Sequence, residues 1–470
     1  MSKILISSAL VLLVVGCGGA GPSPGTDTED HLPTYHRDVR PILVQRCGEC
    51  HGAGIYPVFT ENSVPVLIGS MLEDIKTGRM PPWVPGPLGV PLEHKRSVPQ
   101  EDIGTLTSWA QRGMRIGDSS EYAARPTVDG FVPSRPADVE LKIPVPYLPD
   151  RTKTDDDRCF LLPPYTGSIV AYQWIPDPAV PKHHIAAFTL GAAGVAAARA
   201  KDPTGTGWDC PTDFGVPSIT LLGAVGLGVA GGQEYPTGTS VAVPAGLVLQ
   251  VHSLPMLATG PARDGIRIWS AAPGSISIAS FTIQAPVELP CPDSASGACS
   301  RDAALADPIV RAEHEARLTS CGYASYADYL ARGIRPSGPG EYLIATQCEA
   351  PAPIAGRIVG MHIHAHTWAK NARLSLQRPD GSWQILIDLP VWRYVWESSY
   401  TPKIPVPVRQ GQRLKLECLY DNGTANQWSA RTGKPGHDAP AEPPLLPPAH
   451  IKTGPQLGDE MCALFGEIAP

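Results

Sequence analysis

Proline and glycine recur along the whole of this chain, and their density sets the strongest limit on its fold. Fifty-two Pro and 47 Gly among 470 residues leave few stretches where a long helix could form. Proline removes a backbone donor, and glycine costs about 1 kcal/mol per helical position relative to alanine. A helical bundle or coiled coil is therefore excluded. Hydrophobic residues at 43 % and charged residues at 18 % exclude a disordered polyelectrolyte. What remains is a turn-rich, largely β chain, long enough for two or three domains. The net charge is −7 and no basic block occurs, which argues against nucleic acid as a partner.

The N-terminus carries an export address. Lys3 precedes an apolar run from Ile4 to Val15, too short to span a bilayer as a helix but suited to a signal-peptide core. The run ends Val14-Val15-Gly16-Cys17, which resembles a bacterial lipobox. Residues 1–17 are thus expected to be a lipoprotein signal peptide with Cys17 as the lipidated residue, and 18–30 a flexible tether. An ordinary cleaved signal is the alternative. Either way the chain is exported. Its expected place is the bacterial cell envelope, periplasm or outer-membrane face, with the lipid anchor as its only membrane contact. Of eleven cysteines, one is at the lipobox, two sit in a Cys-x-x-Cys pair, and eight remain. An oxidising compartment permits up to four disulfides among them, and counting does not fix their connectivity.

Cys47-Gly-Glu-Cys50-His51 is the attachment signature of a c-type haem. The two thiols would hold one covalently bound haem c, and His51 would take one axial position. Met80, in Gly78-Arg79-Met80-Pro81-Pro82-Trp83, is the expected second ligand, with Met71 and Met114 as rivals. Ile103, Leu106 and Trp109 at helical spacing, with Gly113 as a stop, predict a helix over 100–112. That helix resembles the closing helix of a small class I cytochrome c. Residues 31–118 are therefore expected to form a small all-α cytochrome c-like domain, followed by a linker over 119–140. A zinc site would need a second ligand pair, for which only His31, His36 and His94 are near. A thioredoxin-like use would need a βαβ context, which is missing.

From Leu141 onward, short β-prone runs alternate with Pro/Gly turns. Leu247 to His252 reads as one strand with His252 on the face opposite Leu247, Leu249 and Val251. Residues 141–288 are expected to be one β-sandwich and 341–470 a second. Between them, 289–340 reads as a helical, disulfide-pinned insert carrying Cys291, Cys299 and Cys321, with helices over 303–318 and 326–332. Arg373 to Ile387 predicts a hairpin turning at Pro379-Asp380-Gly381. Leu414, Leu416, Cys418 and Tyr420 alternate with Arg413, Lys415 and Glu417, so that strand should have one wet face.

The histidines fall into groups. His183 and His184 are adjacent, His252 ends an apolar strand, and His362, His364 and His366 share one side of a strand. An H-x-H pair can chelate one metal ion, and a nearby thioether would favour copper. His183 and His184 can share an ion only if the backbone twists there, and Pro181 is placed to allow it.

Pro181-Lys-His-His-Ile-Ala-Ala-Phe188, Leu249-Gln-Val-His252, His362-Ile-His364 and Asp459-Glu-Met461-Cys462 occur in this order. Together they resemble the copper type II ascorbate-dependent monooxygenases, the peptidylglycine α-hydroxylating and dopamine β-monooxygenases. Cys159-Phe-Leu-Leu-Pro, Trp208-Asp-Cys210 and Leu416-Glu-Cys418 are similar as well. The likeness spans about 140 to 470 in scattered blocks. It implies two jelly-roll-like sandwiches, each with one copper ion, facing a cleft. His183, His184 and His252 would hold the electron-storing copper. His362, His364 and Met461 would hold the oxygen-binding, catalytic copper. The resemblance further implies disulfides Cys418–Cys462 and Cys159–Cys210. Cys348 also matches a family cysteine whose usual partner lies beyond this chain, so pairing within the insert is an alternative. The pairing among Cys291, Cys299, Cys321 and Cys348 stays open.

On that likeness the chain is expected to be a copper monooxygenase hydroxylating a C–H bond of a small substrate with O2. Electrons would come through the fused haem from an external donor, a reduced carrier or an ascorbate-like reductant. Two departures matter. Where peptidylglycine enzymes place an Arg to grip the substrate carboxylate, this chain has Gly360. Where they place Asn and Tyr after the Met, it has Ala463 and Phe465. A C-terminal glycine peptide is thus disfavoured, and a more apolar or aromatic molecule expected. His366 is expected to be solvated or to support the ligands, His437 and His450 to be exposed, and His314 to lie at the surface. The alternatives are a copper-binding electron-transfer or copper-sensing lipoprotein without hydroxylase activity, and a structural lipoprotein with degenerate metal sites.

Overall fold

Period-two burial marks several of the strands. In Arg413–Asp421 the side chains of Leu414, Leu416, Cys418 and Tyr420 are buried, while Arg413 is exposed and Lys415 and Glu417 half-buried. The computed structural model describes residues 32–51, 58–81, 83–93, 95–125, 135–153, 156–180, 182–210, 214–226, 231–291, 299–423, 426, 449–454 and 458–470. Cys17 with the signal segment and tether, His31, His94 and His437 lie outside them.

Two β-sandwiches follow one another. In the first, one sheet runs in the order Val139–Lys142, Gly265–Ser270, Gly167–Ile175, Thr239–Val243, Ile276–Ser277, with Gly232–Glu234 added on Gly167–Ile175. The facing sheet runs Trp208–Asp209, Asp156–Leu161, Gly246–Ser253, Lys182–Leu190, Ile219–Gly226. Leu141, Ile169 and Tyr172 from one sheet meet Phe160, Ile185 and Leu247 from the other in a shared core. Gly246–Ser253 is buried along its whole length. Its Leu247, Leu249 and Val251 face that core, while Val248 packs beside Cys159 and Cys210 on the other side.

In the second sandwich, one sheet runs Ala279–Gln284, Cys462–Ala469, Gly356–Ala365, Ser399–Tyr400, with Val406–Val408 also on Gly356–Ala365. The other runs Leu343–Pro351, Arg413–Asp421, Ala369–Gln377, Trp383–Leu389. The expected hairpin is present, with Gly381 at φ 84° and Ser382 N–H donating to Asp380 Oδ1. Four disulfides are formed: Cys159–Cys210, Cys291–Cys299, Cys321–Cys348 and Cys418–Cys462. Among the described residues no helix is long and apolar enough to cross a membrane.

The expected small all-α cytochrome c-like domain over 31–118 is corrected. The molecule is mainly β, and its N-terminal part contributes only short helices: Arg40–Arg46, Gly48–His51, Val64–Lys76 and Gln100–Gln111. They share a small buried core, from Tyr35 to Trp109. The segment between Val64–Lys76 and Gln100–Gln111 does not stay with that core. Val84 and Leu92 are buried in the core of the second sandwich. Gly86, Val90 and Glu93 N–H groups donate to the carbonyls of Asp388, Leu386 and Thr401. The physical cause is composition: Pro81, Pro85, Pro87 and Pro91 forbid helix here, so the segment runs extended and finds sheet edges instead.

The insert carries helices Arg301–Ala304, Pro308–Ser320 and Tyr326–Gly333, capped by Ser300, Asp307 and Ser325. Here a second expectation is corrected: His314 and His450 are buried, not at the surface. Both meet Glu288, which is fully buried. His314 Nε2 lies 2.6 Å from Glu288 Oε2, His450 Nε2 2.8 Å from Oε1, and Arg301 Nε donates to Oε1 at 2.6 Å. A buried carboxylate needs cationic or donor partners, and the helices of the insert and the segment before Ile451–Lys452 supply them. Burial alone would raise the Glu288 carboxyl, but His314, His450 and Arg301 outweigh it and hold it down to about 2. A folded value below the unfolded one means stabilisation that is complete above about pH 4.5 and lost as pH falls toward about 2. Glu288→Gln should lower stability at pH 7 by about 3 kcal/mol. It should also flatten the acid limb of thermal unfolding curves collected across that window.

Candidate metal centres between the sandwiches

The two sandwiches meet at a seam that carries a half-open cavity of about 570 Å³. The edge strand Ile219–Gly226 of the first forms an isolated bridge, Val225 with Ser398, to the loop before Ser399–Tyr400 of the second. Gly226 N–H donates to the Glu397 carbonyl at 3.1 Å. Glu467, on Cys462–Ala469, accepts from Gln233 Nε2 at 2.8 Å and Tyr235 Oη at 3.1 Å across the seam. Val359 and Ala469 of the second sandwich join the core of the first.

His184 and His252 stand directly opposite each other on paired antiparallel strands. Their rings are perpendicular, with centroids 4.9 Å apart. The register shifts between Lys182 and His184, so His183 is the extra residue of a bulge. That is the backbone irregularity a shared His-His site requires; the His183 side chain lies outside the described residues. Asp157, opposite His252 on the next strand, completes a group of three donors within 4.8 Å of one another. Burial first, and then His252, push His184 down to about 3. Its imidazole is therefore neutral at pH 7, the form that binds metal.

His362 and His364 follow on Gly356–Ala365, and the carboxylate of Glu397 lies between them. Glu397 Oε1 is 2.6 Å from His362 Nε2 and 2.9 Å from His364 Nδ1. Ser399 Oγ lies 3.2 Å from His362 Nδ1, holding the ring from its other side. Burial would raise the Glu397 carboxyl, but His364 and His362 outweigh it and hold it well below the usual carboxylate range. In the same way burial would lower His364, and Glu397 raises it.

Met461 also lines the cavity, and its position has a visible cause. Glu460 is fully buried and accepts backbone N–H donors from His366, Trp368 and Met461. Burial raises its carboxyl to about 8, against those hydrogen bonds. Tyr420 Oη donates to the Met461 carbonyl, and Cys462 is tied to Cys418. His366 is buried rather than solvated. Its Nδ1 lies 2.9 Å from the Asp459 carbonyl, and burial followed by His364 brings it down to about 3. It supports the end of the strand and the Met461 segment together.

The cavity is thus lined by His184 and His252 with Asp157, and by His362, His364 and Glu397 with Met461. Sequence reasoning missed Asp157, Glu397 and Glu467. Asp157 was accessible in principle, because it lies two residues before Cys159 on a strand that pairs with the His252 strand. Glu397 stands 33 residues from His364 and carries no motif.

The haem residues are placed as follows. Cys47 caps the helix Arg40–Arg46, and His51 ends the short helix after it. The His51 ring stacks on Phe59 with centroids 4.2 Å apart. The Cys50 side chain lies outside the described residues. Met80 N–H donates to the Asp74 carbonyl at the end of Val64–Lys76. Met71 and Met114 pack against the N-terminal core.

Fold and site together define a mainly β-sandwich protein with two imidazole–carboxylate clusters on one inter-sandwich cavity. No protein-family model matches the chain, and no curated protein matches it. Among solved structures, allantoicase is similar at 8 % identity, over 54 % of this chain and 74 % of that one, with a TM-score of 0.15. The N-terminal CBM22 tandem domain of Paenibacillus barcinonensis Xyn10C is similar at 12 % identity, over 65 % and 79 %, with a TM-score of 0.14. A Bacillus subtilis oxalate decarboxylase mutant is similar at 11 % identity, over 58 % and 70 %, with a TM-score of 0.12.

Glu467 gives a test of the seam. Burial raises its carboxyl to about 7, against the donations from Gln233 and Tyr235. A folded value above the unfolded one stabilises below about pH 4.5, and that contribution is lost as pH rises through about 7. The melting temperature should therefore decline across that interval. Glu467→Gln, which stays neutral, should remove this component of the decline in scans from pH 4.5 to 8.

Proposed function

We propose that the chain is an exported copper-dependent monooxygenase that hydroxylates a C–H bond of a small apolar or aromatic substrate with O2. The observation that carries this reading is the pair of imidazole-rich donor groups lining one cavity between two sandwiches. One copper would be held by His183, His184 and His252, with Asp157 beside them. The other would be held by His362, His364 and Met461. The donor sets fit: imidazoles suit copper in either oxidation state, and a thioether favours Cu(I). Bound copper supplies one-electron redox chemistry and O2 activation.

The chain's own residues do the rest. Glu460 and the Cys418–Cys462 disulfide hold the segment that carries Met461. Phe188, Phe281, Phe465 and Leu222 give the cavity apolar walls that favour an apolar substrate over water. At position 360 a Cβ would meet the Glu467 carboxylate, so the glycine leaves room for that side chain. The Glu467 carboxyl therefore stands beside the place where a carboxylate-gripping Arg would be.

One haem c would be attached through Cys47 and Cys50, with His51 and Met80 as axial ligands. Cys47, Phe59, Met71, Leu72 and Ile75 form a half-buried apolar rim on the N-terminal core, a surface chemistry that suits a porphyrin face. An external reduced carrier or ascorbate-like reductant would supply electrons, and a lipid on Cys17 would anchor the protein to the envelope. Four disulfides suit that compartment.

Metal analysis of the purified protein should give about two copper and one iron per chain. Met461→Ile should abolish O2-dependent substrate consumption while leaving the haem spectrum unchanged. A protein that binds copper and exchanges electrons with its haem, yet consumes no O2 with any substrate in a library of apolar and aromatic compounds, would be an electron-transfer lipoprotein instead.

A further inference from the structure

The carboxylate of Glu397 has no place in the ligand set His362, His364 and Met461, yet it occupies the centre of that set's imidazole pair. One oxygen lies within 3 Å of a nitrogen on each ring, and the other is 2.9 Å from His364 Nδ1. The three donor groups fit within 4.8 Å of one another. Glu397 is reached from outside the strand that carries the histidines. It follows the short turn Tyr394–Trp396, and its backbone is fixed on the first sandwich. Its carbonyl accepts from Gly226, Ser398 bridges Val225, and Ser399 Oγ donates to the Ala224 carbonyl at 3.4 Å. These anchors lie on the edge strand next to the one that carries His184.

We propose that Glu397 is a protein ligand of the His362–His364 centre, delivered from the seam between the sandwiches. The inference rests on the reading that this centre binds copper. Its consequence is a centre with two third-ligand candidates of opposite character. A carboxylate is a hard anionic donor that favours the divalent ion, whereas the thioether of Met461 is soft and favours the monovalent one. Glu397 therefore weights the centre toward Cu(II) and Met461 toward Cu(I). The Glu397 carboxylate would hold Cu(II) more firmly than Cu(I). Because the Glu397 backbone belongs to the seam, that preference is tied to the apposition of the two sandwiches.

The test is metal binding by the full chain, with copper alone as the probe. Apo-protein is titrated with Cu(II) and, under anaerobic conditions, with Cu(I) against a competing chelator. The Cu(II) form is also examined by electron paramagnetic resonance. In Glu397→Gln, the Cu(II) affinity of one of the two sites should fall by at least about tenfold, with a changed spectrum for that site. Its Cu(I) affinity should change far less. Glu397→Asp, which keeps the charge, should recover part of the Cu(II) affinity; a purely structural role would be served by Gln and not by Asp. Wild-type Cu(II) affinity and an unchanged spectrum in Glu397→Gln would overturn the assignment. The double variant His362→Ala/His364→Ala separates the two failures. If it loses one copper while Glu397→Gln does not, only the role of Glu397 falls. If it retains both, the copper reading of this centre falls as well.

Discussion

The seam between the sandwiches is the constraint on which the rest depends. Each donor group lies on one sandwich, and the two groups line one cavity only because the seam is made. Three kinds of contact hold it. There is a short piece of β-bridging at Val225 and Ser398, a buried polar triad of Glu467, Gln233 and Tyr235, and apolar packing of Val359 and Ala469 into the first core. The polar triad carries the specificity. Burying a carboxylate at an interface is unfavourable unless donors meet it in the right register, so a shifted docking would strand it. Apolar packing alone would tolerate such shifts.

Some strands were legible because their burial has period two, whereas the cavity strands Gly246–Ser253 and Gly356–Ala365 are buried on both faces over most of their length. The alternation in 413–421 and the Pro-Asp-Gly hairpin turn are local properties, and local properties survive in sequence. The histidines on Gly356–Ala365 were legible for the same reason, as was the need for an irregular backbone at His183. What was not legible is long-range. Glu397 approaches His362 and His364 from a loop 33 residues away. Glu288 gathers His314 and His450 from segments 26 and 162 residues distant. A helix pattern marked His314 as surface because the insert's own amphipathicity does not register what later strands lay against it. The Pro-rich run before His450 suggested exposure, yet its end docks onto a buried acid.

The N-terminal part shows the opposite failure. One of its helices, over 100–112, was read from its own spacing, but a helix is not a domain. The deciding feature was the proline-rich segment that follows Met80. It leaves the small helical core, buries Val84 and Leu92 in the second sandwich, and sets Trp83 edge-on to Tyr400 with ring centroids 6.0 Å apart. Tyr400 lies opposite Met361 in the sheet, and its neighbour Ser399 lies opposite His362. The strap therefore ends on the same short strand whose preceding loop carries Glu397.

That placement bears on what the cavity can admit. Strand Ser399–Tyr400 is covered by the strap on one side, and its preceding loop is pinned to the first sandwich on the other. The wall holding Glu397 has little room to yield. Elsewhere on the wall, Glu467 lies against Gly360 and the Phe281 ring against Gly466. Each glycine leaves room for the side chain beside it. Carboxyl groups and aromatic rings bound the half-open space. Size and charge would be selected by the walls, while chemistry is left to the donor groups at the seam.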